Sequence, residues 1–170
     1  MTFKKNIIAF FVIGVIGTLG HFLYEWTGEN TLVGLFFPIN ESTWEHLKLL
    51  FFPTLIYSAI EFFASEEKPE NYLPAVAISV ICGMLTIVTL FYTISGIIGY
   101  NIDIINISIY YVSIIVMLCK KRKIISSGKF ISKTSKLFFG GVLVLFALLF
   151  VIFSLYPPTL GIFTPPIIGK

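Results

Sequence analysis

The chain has 170 residues, of which 56% are hydrophobic and only 12% are charged, and its mean hydropathy is +0.93. Because soluble domains carry about 25% charged residues, this composition excludes an ordinary water-soluble globular protein. The net charge of +3 arises from basic residues whose distribution follows membrane orientation, so we expect no nucleic-acid partner.

Five apolar stretches approach the roughly 20 residues that a helix needs to cross a hydrocarbon layer of about 30 Å. Backbone groups in lipid must be satisfied within the segment, and no stretch alternates clearly enough for a barrel, so we expect helices. The predicted fold class is therefore an all-α integral membrane protein, with a single membrane domain over residues 1–170. The predicted spans are residues 6–26, 45–64, 73–93, 98–119 and 137–156.

The first predicted span carries one of the two histidines. His21 and Glu25, at positions i and i+4, share an arc with Gly14 and Gly17, and small residues at this spacing allow close helix approach. Both polar side chains are therefore expected to face the bundle. The two lysines before the apolar run also resemble a signal peptide, but no cleavage site is convincing and Trp26 is a normal interfacial anchor. We expect the span to be retained.

The connection to the second span contains an apolar segment, residues 30–40, that is too short to cross a membrane. It is predicted to be interfacial or re-entrant. Ser42 followed by Glu45 forms a capping box that begins the second helix, in which Pro53 should cause a kink. Glu61, near the other end of this helix, is expected to be solvated.

Later features complete the predicted layout. Asp103 lies about one turn inside the outer end of the fourth helix, and the fifth helix is apolar all round, so it should be peripheral. A basic loop at residues 120–136 is a candidate contact for anionic lipid head groups. The proline pairs of the tail, residues 157–170, exclude a continuous helix, so an extended tail should fold against the outer mouth.

The basic residues are distributed asymmetrically between the two ends of the predicted bundle. With five spans and a cytoplasmic N-terminus, Lys48 and Lys170 lie outside and the remaining ten basic residues lie inside. This asymmetry predicts a cytoplasmic N-terminus and an external C-terminus. Lysine far outnumbers arginine, and isoleucine and asparagine are abundant, which suggests an AT-rich bacterial genome and a multi-pass protein of the bacterial plasma membrane. Neither Cys82 nor Cys119 faces an oxidising compartment, so no disulfide is expected.

Ionisable groups gather where the predicted topology places the outer end of the bundle. Ionisable residues within a membrane are costly, so they indicate a functional site by default. Imidazoles and carboxylates are ligands for zinc, non-haem iron or manganese, and the bound metal can generate a nucleophile from water. The hypothesis is a metal-dependent hydrolase or transferase that acts on lipid-linked substrates. The members of this group are His21, Tyr24, Glu25, Glu41, Glu45, His46 and Asp103.

Roles can be assigned to six of these residues. The predicted metal ligands are His21, Glu25 and His46; Glu45 or Asp103 is the predicted general base, and Tyr24 would steady an oxyanion. The spacing matches no established zinc motif. Purely structural interpretations therefore stay open: Glu41 and Glu45 can cap the second helix, Glu45 can pair with Lys48, and His21 can hydrogen-bond Glu25.

Two other classes of function remain open, so enzymatic activity is left undecided. Glu61, Tyr57 and Thr54 could extend a polar route from His46 for a proton, a cation or another small solute. Alternatively, the chain is an accessory or assembly subunit whose small-residue seams pack against another protein.

The segments His21–Trp26 and Phe37–Lys48, together with the five-span layout, resemble an uncharacterised family of small bacterial integral-membrane proteins. The resemblance implies a polytopic membrane protein, and it implies no activity, cofactor or site residue.

Overall fold

The structure, a computed structural model, describes residues 3–166, and α-helices account for most of that range. The last four residues of the tail lie outside the described residues. The elements are α1 (Phe3–Trp26), α2 (Thr31–Gly34), α3 (Thr43–Ala64), α4 (Tyr72–Ile98), α5 (Asp103–Ser127) and α6 (Lys133–Leu155), followed by a 3₁₀ turn at Gly161–Phe163. The predicted all-α fold class is confirmed.

Five of these helices, all except α2, are long and apolar enough to cross a membrane. This finding confirms the predicted number of candidate spans and indicates a multi-pass membrane protein. The four-residue helix α2 lies inside the apolar connection between α1 and α3, and the side chain of Asn30 caps it by accepting hydrogen bonds from the amides of Leu32 and Val33.

Two helices extend beyond the ends that the sequence predicted. α4 continues to Ile98 and α5 continues to Ser127, so the basic run that begins at Lys120 lies within α5. Each helix is followed by a glycine with positive φ, Gly99 at 87° and Gly128 at 62°. Glycine adopts this left-handed conformation without the Cβ penalty, which makes it the usual residue after a helix C-terminus.

Helix α4 contacts α3, α5 and α6, and α5 also packs on α1. Helix α3 in turn contacts α1, α4 and α6. Its neighbours approach closely where side chains are small. At Gly17 of α1 an added Cβ would lie 2.6 Å from the carbonyl oxygen of Leu49, and it would also collide with the hydroxyl of Tyr110. That hydroxyl lies 3.0 Å from the carbonyl oxygen of Ile13 and 3.2 Å from that of Leu49, and it ties α5 to both helices.

The alternating direction of the long helices gives the bundle two chemically different ends. We call the end at which α1 finishes and α3 begins the histidine end; there the hydroxyl of Thr43 donates to that of Tyr92 near the end of α4. The opposite end, which carries the connections 65–71 and 128–132, is called the basic end. Here Asn71 donates to the carbonyl of Ile124 at 2.8 Å.

The tail packs back onto the histidine end. The ring of Phe163 in the 3₁₀ turn lies 5.0 Å from that of Trp44 at the start of α3, and 5.2 Å from that of Phe153 in α6. These aromatic contacts cover the first turn of α3 from the side of α6.

Candidate functional site

Three side chains from two helices and the connection between them converge at the histidine end. The Nε2 atoms of His21 and His46 are 3.1 Å apart. An Oε2 atom of Glu41 lies 3.6 Å from Nε2 of His21 and 3.4 Å from Nε2 of His46. Among the described residues, these three form the one group of at least three His, Cys, Asp or Glu side chains whose ligand atoms all lie within 4.8 Å of one another.

The separations are those expected of ligands around one metal ion. Ligand atoms about 2.0–2.1 Å from a tetrahedral ion lie about 3.3 Å from each other. The three observed separations, 3.1, 3.4 and 3.6 Å, bracket this value. The atoms of His21, Glu41 and His46 could therefore ligate a common ion with little rearrangement, and two histidines with one glutamate form a known catalytic zinc ligand set.

The orientation of His46 favours ligand binding through Nε2. Its Nδ1 lies 2.9 Å from the carbonyl oxygen of Ser42, which can only accept a hydrogen bond. Nδ1 therefore carries the hydrogen, so in the neutral ring Nε2 presents a lone pair towards His21 and Glu41. A backbone carbonyl that fixes the ring of a ligand histidine in this way is typical of metal sites.

The cluster is open to the surroundings on one side. The side chains of His21 and His46 are 32% and 29% exposed, and that of Glu41 is 58% exposed. The neighbouring imidazoles of His21 and His46 hold the pKa of the Glu41 carboxyl well below its usual range. Glu41 is thus a carboxylate at physiological pH, and three protein ligands on an accessible surface leave room for a water molecule or substrate.

Behind Glu41, a buried ion pair anchors the connection that carries it. Lys48 is 0% exposed, and its Nζ lies 2.7 Å from Glu45 Oε2. The same ammonium group donates to the carbonyl of Gly34 at 2.7 Å and lies 3.4 Å from that of Phe37. Lys48 therefore ties the first turn of α3 to the segment that leads into the cluster.

The carboxylate of Glu45 completes this anchor. It accepts hydrogen bonds from the amide of Ile39 at 3.0 Å and from the hydroxyl of Ser154 in α6 at 2.8 Å. Only half of the predicted capping box forms, since the Ser42 hydroxyl accepts the amide of Glu45 at 3.4 Å while the Glu45 carboxylate turns to Ile39. The predicted general base is thus buried and fully engaged.

The other predicted site residues lie around the cluster. Glu25 is exposed one turn beyond His21, on the same face of α1. The ring of Tyr24 packs on α2, where it would lie 3.0 Å from a Cβ added to Gly34. Asp103 is exposed as the first residue of α5.

Sequence reasoning paired the two histidines but chose a different carboxylate. Glu41 was included among the polar residues of this end without an assigned role in catalysis or metal binding, and a helix-capping role was left open for it. Helical geometry could not predict where the Glu41 side chain lies relative to His46, because Glu41 precedes the first residue of α3. The role of Lys48 was recognised only as a partner of Glu45.

A second buried ion pair lies towards the basic end. Lys121 of α5 and Glu61 of α3 are 2.6 Å apart, with side chains 2% and 8% exposed. The hydroxyl of Tyr72 in α4 donates to Glu61 at 2.5 Å and lies 3.0 Å from the Lys121 ammonium. The expectation that Glu61 is solvated is therefore wrong, because Lys121 from the basic run enters the bundle and pairs with it.

Apolar packing separates the two polar regions. Along α3, the side chains of Leu47, Leu50 and Phe51 between the histidine cluster and Glu61 are buried. The hydroxyl of Thr54, a residue on the hypothetical polar route, points to the sulfur of Met117 at 3.3 Å. These residues pack as a hydrophobic core, the usual interior of a helical bundle.

Comparison with known proteins identifies the family to which the chain belongs. No curated protein and no solved structure matches the chain. The model of a family of unknown function, DUF6512, matches residues 2–170, which agrees with the resemblance noted from the two histidine-bearing segments. The chain therefore belongs to the DUF6512 family.

Proposed function

We propose that His21, Glu41 and His46 bind one divalent transition-metal ion, with zinc as the best fit, and that the protein is a metal-dependent hydrolase. The observation that carries the proposal is the mutual separation of the three ligand atoms, 3.1–3.6 Å. The donor types support zinc, iron or manganese, and a ligand set of two imidazoles and one carboxylate is common to catalytic zinc sites.

A bound ion would polarise a substrate carbonyl and lower the pKa of a water molecule towards 7. The exposed side of the cluster gives access for both. Glu25 is our candidate for the general base, because it is exposed and lies one helical turn from His21 on the same face of α1. Glu45 is unsuited to this role because its carboxylate is committed to Lys48, Ile39 and Ser154.

Membrane orientation and substrate location belong to the same proposal. The excess of lysine and arginine at the basic end supports a cytoplasmic N-terminus in a bacterial plasma membrane. The cluster would then lie at the outer face, where lipid-linked substrates are accessible. Reporter domains inserted after residue 29 and after residue 131 test this orientation, since only the second should report a cytoplasmic location.

Elemental analysis of the detergent-purified protein is the first test of the metal site. We expect close to one zinc, iron or manganese ion per chain after incubation with the metal and removal of the excess. The variants His21→Ala, His46→Ala and Glu41→Gln should each lose it. Glu29→Gln, which removes an exposed carboxylate at the same end, should retain it and is the matched control. Absence of metal from the unmodified protein would refute the proposal.

Hydrolysis is tested separately with a neutral ester, p-nitrophenyl acetate. The zinc-loaded protein should accelerate its cleavage, and Glu25→Gln should lower kcat by about 10²- to 10⁴-fold, the range expected for loss of a general base. Metal content should stay unchanged in this variant because Glu25 is not among the three ligands. Equal activity of the metal-free and zinc-loaded forms would refute the hydrolytic role while leaving the metal site intact.

A further inference from the structure

The charge distribution around the cluster differs from that of sites that handle phosphate. In the part of the chain that the structure describes, the exposed charged side chains at the histidine end are all acidic, namely those of Glu25, Glu29, Glu41 and Asp103. Within residues 3–166, Lys48 is the sole lysine or arginine at this end. It is 0% exposed and engaged by Glu45 and by the backbone, so it cannot reach a substrate.

Phosphate recognition and phosphoryl transfer depend on cationic side chains. Arginine or lysine groups bind the phosphate oxygens and offset the charge that develops in the transition state. A divalent ion at His21, Glu41 and His46 would have its charge offset by the Glu41 carboxylate and by the other carboxylates of this end. An incoming phosphate dianion would therefore meet a surface of the same sign.

We infer that this site, if it has the function proposed above, hydrolyses a carboxylic ester or amide in a substrate that is uncharged or cationic, and that it rejects phosphate. Hydrolysis of an ester adds the oxygen of water to the carbonyl carbon and breaks the bond from that carbon to the leaving alcohol. A proton of the water passes to the alcohol, and the acid product then ionises. The reaction needs no other reactant, and repulsion by the acidic surface favours release of the carboxylate product.

The acidic surface also makes the inference measurable. Two carboxylates that contribute to it, those of Glu29 and Asp103, are exposed and are neither proposed ligands nor the proposed base. Replacing both with lysine changes the local charge by four. Taking a separation of about 12 Å between these charges and a bound phosphate dianion, Coulomb interactions in water then strengthen binding about twentyfold at an ionic strength of about 10 mM, and about threefold at about 150 mM.

The test measures two ligands on the Co²⁺-loaded protein in neutral detergent at pH 8. A change in the visible absorption bands of Co²⁺ reports the binding of inorganic phosphate, which is anionic, and of imidazole, which is neutral. The double variant Glu29→Lys/Asp103→Lys should bind phosphate about twentyfold more tightly at low salt, with imidazole affinity changed less than twofold. The control Glu66→Lys/Glu67→Lys makes the same change in net charge at the basic end and should alter neither affinity.

The outcomes separate this inference from the proposed function. If Co²⁺ binds but phosphate affinity in the double variant equals that of the unmodified protein, the charge-based selection is refuted and the metal site stands. Phosphate affinity that rises equally in the control variant would also refute it, because net charge alone would then be responsible. If no Co²⁺ binds, the proposed function fails and the inference that rests on it fails as well.

Discussion

Replacement of Lys48 by methionine should lower both the stability of the bundle and the zinc affinity of the candidate site. A matched control then shows that the second effect is not caused by the first. The change keeps an unbranched apolar side chain, one atom shorter, but removes the ammonium group that pairs with the Glu45 carboxylate, which is 3% exposed. It also removes the donor to the carbonyl of Gly34. Breaking a buried ion pair by deleting one partner costs about 3–5 kcal/mol, since an uncompensated buried charge remains. For a chain of this size, such a loss lowers Tm by about 10 °C.

Lys48→Met should also weaken metal binding, because it alters the position of the ligand Glu41 although Lys48 is not itself a ligand. Lys48 holds the connection that ends at Glu41, so its loss releases that ligand from its place beside His21 and His46. Outer-shell changes of this kind typically lower metal affinity by about 10–100-fold. The assays are thermal unfolding in detergent and competitive zinc titration of the folded protein, both below the lowered Tm.

The second buried pair provides the matched control. Lys121→Met removes the cationic partner of Glu61, whose side chain is comparably buried, and should lower Tm by a similar amount. Because Glu61 lies at the end of α3 opposite to His46, zinc affinity should be unchanged. The double variant Glu45→Gln/Lys48→Met removes the uncompensated charge and should regain part of the stability while zinc affinity stays low. Equal zinc affinity in Lys48→Met and the unmodified protein would refute the anchoring argument.

Three further predictions concern the Glu41 carboxylate, the two imidazoles and the contact between α1 and α3. Glu41→Gln should lower zinc affinity by about 100-fold or more with a nearly unchanged Tm, because it removes a ligand that is largely exposed; competitive titration beside Glu29→Gln checks this, and unchanged affinity would exclude Glu41 as a ligand. Zinc affinity should fall as pH is lowered, by up to about a hundredfold per unit, since two protons compete with the metal for the two imidazoles; a flat profile from pH 7.5 to 5.5 would contradict histidine ligation. Gly17→Ala should destabilise the protein by about 1–3 kcal/mol because its Cβ meets the backbone of α3, whereas Gly96→Ala, with no atom within 4 Å of its Cβ, should be neutral or stabilising; equal Tm values for these two variants would contradict the close packing of α1 and α3.

The long helices were predictable because each depends on its own residues. A segment of about 20 apolar residues must satisfy its backbone internally in lipid, so its helical state needs no knowledge of its neighbours. The Ser42 cap is similarly local. The ends of α4 and α5 were less well predicted, although Gly99 and Gly128 were available as stop signals. Continuation of α5 through the basic run brings Lys121 to Glu61 of α3, a contact between two helices that the sequence of either one does not specify.

The candidate site divides in the same way. The sequence alone singled out His21 and His46, because histidines beside carboxylates are rare in so apolar a chain. Only the tertiary structure decided that Glu41 is the carboxylate that joins them and that Glu45 serves the anchor. Helical periodicity relates residues within one helix, such as His21 and Glu25, but it cannot specify how an irregular connection returns to that helix. That path depends on the buried Lys48 and on contacts between residues far apart in the chain.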